Sequence, residues 1–293
     1  SAASDVYKRQ PPSVVDVADV VAEQVLGWLG EFGVGEQVLG PSSRFRGFGS
    51  SAKMVGECAR VSKERATMNQ TTTVHVLRHG EVDNPTGVLY GRMPDFHLTA
   101  LGRRMAARAA EYFAERPLAL LVSSPMERAQ ETIAPTASLH PELKVHLDDD
   151  VTEAANAFEG QSFGPGHHPL RDPHNWKLLV NPVRPSWGEP YVDIAERMTR
   201  AILRAAEEVG PAGEALIVSH QLPIWIARCA AEGRRLPHDP RSRQCTLASV
   251  TSFGVLDGRI VRVDYAEPAI DLVPRKARKA NISAGTGGQA DRS

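Results

Sequence analysis

From residue 72 onward, short apolar runs alternate with amphipathic stretches, and this alternation sets the expected architecture. Residues 73–77 (Thr-Val-His-Val-Leu) read as a buried strand, because β-branched and apolar positions run together and stop abruptly at Arg78. A polar loop rich in Gly, Pro, Asn and Asp follows over 80–98. Thr99 then caps a helix to about residue 116, with Met105, Ala109, Tyr112 and Phe113 on one face. Residues 118–122 are a second apolar strand. Ser124 is the expected cap of the next helix, with Pro125 at its first position and an end or kink near Pro135. A short strand at 145–147 precedes a Gly/Pro-punctuated insertion over 154–190, and loops that long inside a compact domain are usually functional. The pattern resumes with a helix at 193–209, a buried strand at 215–219 and a helix at 223–231. Two strands, 246–255 and 259–265, flank Asp257-Gly258, a hairpin signal. Strands alternating with helices imply right-handed crossovers. The expected fold is therefore α/β: a three-layer α/β/α sandwich whose mostly parallel sheet gains an antiparallel strand or hairpin at its end.

The flanks differ from this core. In residues 1–70, Val14, Val17, Val21, Val25 and Trp28 fall at helical spacing, and Gly/Ser-rich sequence follows. Met68 precedes the first convincing strand, so the expectation is an upstream extension ahead of a natural start at Met68; a partner-binding helix is the alternative reading. The domain is expected over 71–270. The remainder, 271–293, with Arg275-Lys276 and Arg278-Lys279, reads as a disordered basic tail.

Composition narrows the function classes. The 293 residues are 42% hydrophobic, enough for a sizeable core. Lys+Arg is 34 against Asp+Glu 35, a net charge of -1, which gives no footing for a nucleic-acid or membrane partner. Cys58, Cys229 and Cys245 are scattered without a C-x-x-C pair. That points to a reducing, cytoplasmic setting and away from a disulfide framework or zinc ribbon. Oligomeric state is not readable.

Candidate chemistry collects at three strand ends. The first delivers Arg78-His79-Gly80, where Gly80 permits a sharp turn and His79 could be a nucleophile, an acid/base or a donor. The second delivers Ser123-Ser124-Pro125 and then Arg128, the third Ser219-His220-Gln221. Ligands of open α/β sheets bind outside the carboxyl ends of strands. Two arginines and two histidines on one sheet edge repel one another when empty and suit an anion such as phosphate, which carries about -1.5 to -2 charges at neutral pH. His167 and His168 lack helical ligand spacing, so no metal or other cofactor is expected.

These motifs, in order over roughly 72–270, resemble the histidine phosphatase superfamily, which includes the phosphoglycerate mutases. Arg78-His79-Gly80 matches its signature, and Ser123-Ser124-Pro125-Met126-Glu127-Arg128-Ala129-Gln130-Glu131-Thr132 resembles its Ser-Ser-x-x-x-Arg-Ala-x-x-Thr. Gly91 to Gly102 resembles its Gly-x-x-D-x-x-L-T-x-x-G stretch with one residue more before Asp95, Phe158-Glu159-Gly160 its aromatic-Glu-Gly element, and Ser219-His220 its last motif. The resemblance implies a phosphatase acting on a small-molecule phosphomonoester through a phosphohistidine. His79 would attack, its second ring nitrogen donating to a backbone carbonyl. Arg78, Arg128 and His220 would hold the phosphoryl oxygens, and Glu153 would be the general acid, with Glu159 and Glu81 as competitors. Asn84, Gly91, Gln221 and Arg184 are the further candidate binding residues, with Trp176 and Trp187 as pocket-lining or packing groups. Val82 replaces the family's usual Ser/Thr, Asn84 sits one residue nearer His79 than is common, and the stretch from Glu153 to Gly160 is shortened. Ala154-Ala155-Asn156 after Glu153 differs from the Arg-His-Tyr-Gly of the mutases, which leaves mutase chemistry as the alternative. A non-catalytic phospho-ligand module is a second.

Overall fold

A computed structural model describes residues 71–161 and 188–273, except the Arg241 side chain. The possible helix at 14–28, Met68, His167, His168, Trp176, Arg184, Trp187 and the basic segment from 274 lie outside the described residues. Within them one sheet is built from β1 (Thr72–Arg78), β2 (Leu118–Ser123), β3 (Val145–Leu147), β4 (Glu214–Ser219), β5 (Val250–Leu256) and β6 (Arg259–Ala266). The strand order is β3-β2-β4-β1-β5-β6. The first four strands pair in parallel, β5 is antiparallel to β1, and β6 is antiparallel to β5. The chain thus has the α/β architecture that the alternating pattern implies.

Helices α1 (Ala100–Phe113) and α2 (Glu127–Leu139) cover one face, and α3 (Tyr191–Val209) and α4 (Gln221–Ala231) the other. Successive strand residues point to opposite faces. Leu77, Leu121, Leu216 and Val218 pack with Met105, Phe113 and Ile133 of the first layer. Val74, Val76, Val122 and Ile217 pack with Ile194, Met198, Ile202 and Trp225 of the second. Both faces of the sheet are buried, which is why its strands read as continuous apolar runs. Asp257 (φ 50°) and Gly258 (φ 71°) make the tight turn of the β5–β6 hairpin. The fold continues through a 3₁₀ turn, Ile270–Leu272, tied to α1 by an Arg108–Asp271 ion pair at 3.0 Å. No described helix is long and apolar enough to cross a membrane.

Two local expectations are corrected. Thr99 caps α1 as expected, its hydroxyl oxygen accepting from Gly102 N–H at 2.9 Å, but Ser124 does not cap α2. That helix begins two residues later than Pro125, behind Met126, which offers no side-chain cap. Nor does α2 end at Pro135: it carries the proline inside and runs to Leu139, held on the sheet by buried Ala129, Ile133 and Thr136.

Candidate active site

The sheet brings the three expected strand ends together. Arg78 stands opposite Ser219 and Ser123 opposite Val218, with β4 between β1 and β2. Backbone bonds continue beyond the strands, His79 N–H to Ser219 O at 3.1 Å and Ser124 N–H to Val218 O at 2.9 Å. The rings of His79 and His220 lie 5.2 Å apart, and His220 Nε2 is 2.8 Å from the Ser124 hydroxyl. The hydroxyl that a local reading assigns to a helix cap instead bridges two strand ends. When Ser124 donates to Nε2, the proton of the neutral His220 ring sits on Nδ1, which has no partner.

His79 is held in one tautomer. Its Nδ1 lies 2.8 Å from the Gly80 carbonyl, which can only accept, so Nδ1 carries the hydrogen and Nε2 keeps its lone pair. Burial, reinforced by Arg128 and Arg78, holds the His79 pKa well below the ordinary histidine value. The same causes, burial first and then Arg128 and His79, depress His220. Both rings are therefore neutral near pH 7 when no anion is bound.

The two arginines are buried and only partly committed. Arg78 donates to the Cys245 carbonyl at 2.6 Å, and Arg128 to the Gly91 carbonyl at 2.6 Å while stacking over the Tyr90 ring at 4.8 Å. Arg78 Nε, Arg128 Nε and Nη1, and His220 Nδ1 remain buried without hydrogen-bond partners. Buried charge without a countercharge is costly. Four orphaned nitrogens around one neutral imidazole lone pair describe a receptor for an oxyanion.

Gly80 is needed for a different reason than a turn. Its φ is not positive; a Cβ there would stand 2.6 Å from the Gly102 carbonyl oxygen. Reciprocally, a Cβ on Gly102 would stand 2.1 Å from Glu81 O. The loop after β1 and the start of α1 touch backbone to backbone. Gly80 N–H also donates to Thr132 Oγ1 at 3.1 Å, which joins the loop to α2.

Each candidate carboxylate accepts a hydrogen bond, Glu153 Oε1 from Ala154 N–H at 2.9 Å, and Glu159 as well as Glu153 acts electrostatically on Arg128. Glu81 is occupied, its Oε2 accepting from the Thr99 hydroxyl at 2.6 Å. Glu159 lies against Gly91 and accepts from Asn156 N–H at 3.2 Å. Glu153 is half-buried and acts electrostatically on Tyr90, Arg128, Arg243 and Cys245, all at the site. Its backbone is tied down residue by residue: Asp150 O and Thr152 O accept from Arg197 at 2.6 and 2.9 Å, Val151 O from the Ser219 hydroxyl at 2.7 Å, and Glu153 O from Arg92 at 2.6 Å. Glu189 completes this frame by pairing with Arg197 at 2.7 Å and Arg92 at 2.9 Å.

The remaining candidates divide. Gln221 donates to Cys245 O at 3.3 Å and leaves its Oε1 unpartnered beside the arginines. Gly91 contributes a carbonyl, at φ 39°, to Arg128. Asn84 faces its own loop: its amide donates to Val88 O at 2.8 Å and accepts from Val88 N–H at 3.2 Å, so here it closes a turn. Arg184 lies outside the described residues. Sequence reasoning missed Tyr90, Arg92, Glu189, Arg197 and Arg243. Only Arg197 had a signal: a charge at a core-facing position of an amphipathic helix, between Ile194 and Ala201.

Comparison with known proteins agrees with this geometry. The family model of the histidine phosphatase superfamily (branch 1) matches residues 74–267. The uncharacterized protein Rv0525 of Mycobacterium tuberculosis is 54% identical over 203 residues, 69% of this chain and 99% of that protein. Among solved structures, YhfR of Bacillus stearothermophilus superposes with a TM-score of 0.55 at 23% identity, covering 65% of this chain and 94% of that one. The mycobacterial glucosyl-3-phosphoglycerate phosphatase Rv2419c gives 0.51 at 22% identity over 67% of this chain and 97% of that one. The chain belongs to the histidine phosphatase superfamily, branch 1.

Proposed function

We propose that the protein hydrolyses a small-molecule phosphomonoester through a phosphohistidine on His79. The observation that carries this reading is the set of unpartnered donors, on the guanidiniums of Arg78 and Arg128 and on the neutral ring of His220, beside an imidazole whose Nδ1–H is already spent on Gly80 O. Nε2 of His79 attacks phosphorus, and the ester oxygen leaves with a proton from Glu153. The Glu153 carboxylate then takes a proton from water, the resulting hydroxide attacks phosphorus, and the P–N bond breaks to release phosphate and restore His79. Phosphoryl transfer depends mostly on positioning and electrostatic stabilisation, which the two guanidiniums and His220 supply, so the scheme asks for no metal. The fold relatives include an alpha-ribazole phosphatase and a phosphoserine phosphatase; at 24% and 21% identity they speak to the fold, and the residues carry the function. Ala154-Ala155 after Glu153 favours hydrolysis over mutase transfer.

The test is to incubate the protein with a labelled phosphomonoester, quench in alkali, and assay for acid-labile phosphoprotein. The expected result is a phosphoenzyme in the wild type, none in His79→Ala, and net release of inorganic phosphate that survives chelation. Full turnover by His79→Ala would overturn the nucleophile, an isomerised product would mark a mutase, and loss of activity with chelator would call for a metal.

A further inference from the structure

Arg243 enters the site from the loop between α4 and β5, and the mechanism above does not use it. Its Nε donates to His238 Nε2 at 2.8 Å. His238 is itself fixed, because its Nδ1 donates to Leu236 O at 2.6 Å, which leaves Nε2 as a neutral acceptor. The rings of Tyr191 and Trp225 flank His238 at 5.6 and 5.9 Å. Two residues beyond Arg243, the Cys245 carbonyl receives Arg78, so one loop seats both cations. Desolvation lowers the Arg243 pKa, Tyr191 and Glu153 act against that, and repulsion from Arg78 adds to it. Among the described residues no carboxylate lies within ion-pair distance of it, and its hydrogen bond goes to His238.

This is a second guanidinium beside the phosphoryl cradle, partly exposed and without an ion-pair partner among the described residues, built on a neutral support that positions the charge without quenching it. A substrate with one phosphate satisfies Arg78 and Arg128 and leaves Arg243 bare. We infer that Arg243, positioned by His238, receives a second anionic group of the substrate, a carboxylate or a further phosphate. The preferred substrate class is then a phosphomonoester that carries another anion. This rests on the proposed phosphoryl site but not on turnover there.

The test uses phosphonates, which bind without being hydrolysed. Calorimetric titration of the full chain with 3-phosphonopropionate and with propylphosphonate is expected to show at least a tenfold tighter Kd for the carboxylated ligand. Arg243→Gln should cut that preference below threefold, and Arg243→Lys, which keeps the charge, should retain part of it. Ethane-1,2-bisphosphonate distinguishes the groups: tighter binding than the carboxylate supports a second phosphate, weaker binding a carboxylate. Equal affinities in the wild type, failure to bind either ligand, or a preference that Arg243→Gln leaves intact would each overturn the inference. Should Arg243→Gln fail to fold, an unchanged preference in both Arg243→Lys and His238→Phe does the same. A preference that depends on Arg243 in a protein that forms no phosphohistidine would keep this inference and remove the catalytic one. A phosphoenzyme without the preference does the reverse.

Discussion

His79 keeps the lone pair of Nε2 because one backbone carbonyl holds its other nitrogen, and because burial keeps the ring unprotonated. The same burial has a thermodynamic sign. His79 and His220 have folded pKa values below their unfolded value, and His75 and His238 are lowered too. Above the unfolded value of about 6.5 they are neutral in both states and their contribution to stability is complete. As pH falls below it, the unfolded chain takes up protons that the fold resists. Stability should then fall by up to ~1.4 kcal/mol per pH unit for each such histidine until the folded pKa is reached. Urea midpoints at pH 8, 6.5 and 5.5 should decline in that order, with a shallower decline in His220→Asn. Glu153 and Glu159 are separable by leaving group. Glu153→Gln should lower kcat/KM on an alkyl phosphate by roughly 10²–10⁴-fold and on p-nitrophenyl phosphate, which needs no proton on departure, by about tenfold or less. The same pattern in Glu159→Gln, with little leaving-group dependence in Glu153→Gln, would move the acid there. At this scale Arg78, His79, Arg128 and His220 were legible, because each ends a strand or opens a helix, where local patterning is strong. Arg243, Tyr90 and Glu189 were not, because their roles come only from loops meeting in space.

The elements are positioned by close backbone contact as much as by side chains. Gly80 and Gly102 press the loop after β1 onto the first turn of α1. Helix propensity alone would make Gly102→Ala stabilising by about 1 kcal/mol. A Cβ at 2.1 Å from Glu81 O reverses that sign, and the expected outcome is a loss of roughly 1–3 kcal/mol, read as a lower urea midpoint together with weaker phosphate binding. The start of α2 shows where local reading fails. Ser-Pro is a good helix-start signal, yet the Ser124 hydroxyl lies 2.8 Å from His220 Nε2, so tertiary demand overrides capping preference. Of the end or kink expected near Pro135, an end at that residue is excluded, because buried neighbours hold the helix through it to Leu139.

Over the whole molecule, residues far apart in the chain meet because β4 lies between β1 and β2. The alternating pattern made the α/β class visible, since strands buried on both faces and amphipathic helices leave distinct signatures. The strand order was not visible, because parallel pairing leaves no mark in one strand that names its neighbour. The assembled site links ligand to fold. Inorganic phosphate at a hundred times its Kd should stabilise the protein by about 2.7 kcal/mol, seen as a higher Tm, and Arg128→Ala should lose most of that shift.

The nitrogens left unpaired on Arg78, Arg128 and His220 match the oxygens of a phosphoryl group, and free orthophosphate presents the same oxygens as an ester. What draws the reactant in therefore also detains what is left of it. In the proposed reaction, departure of the product is then expected to be the slow event of each cycle, seen as slower turnover when inorganic phosphate is added.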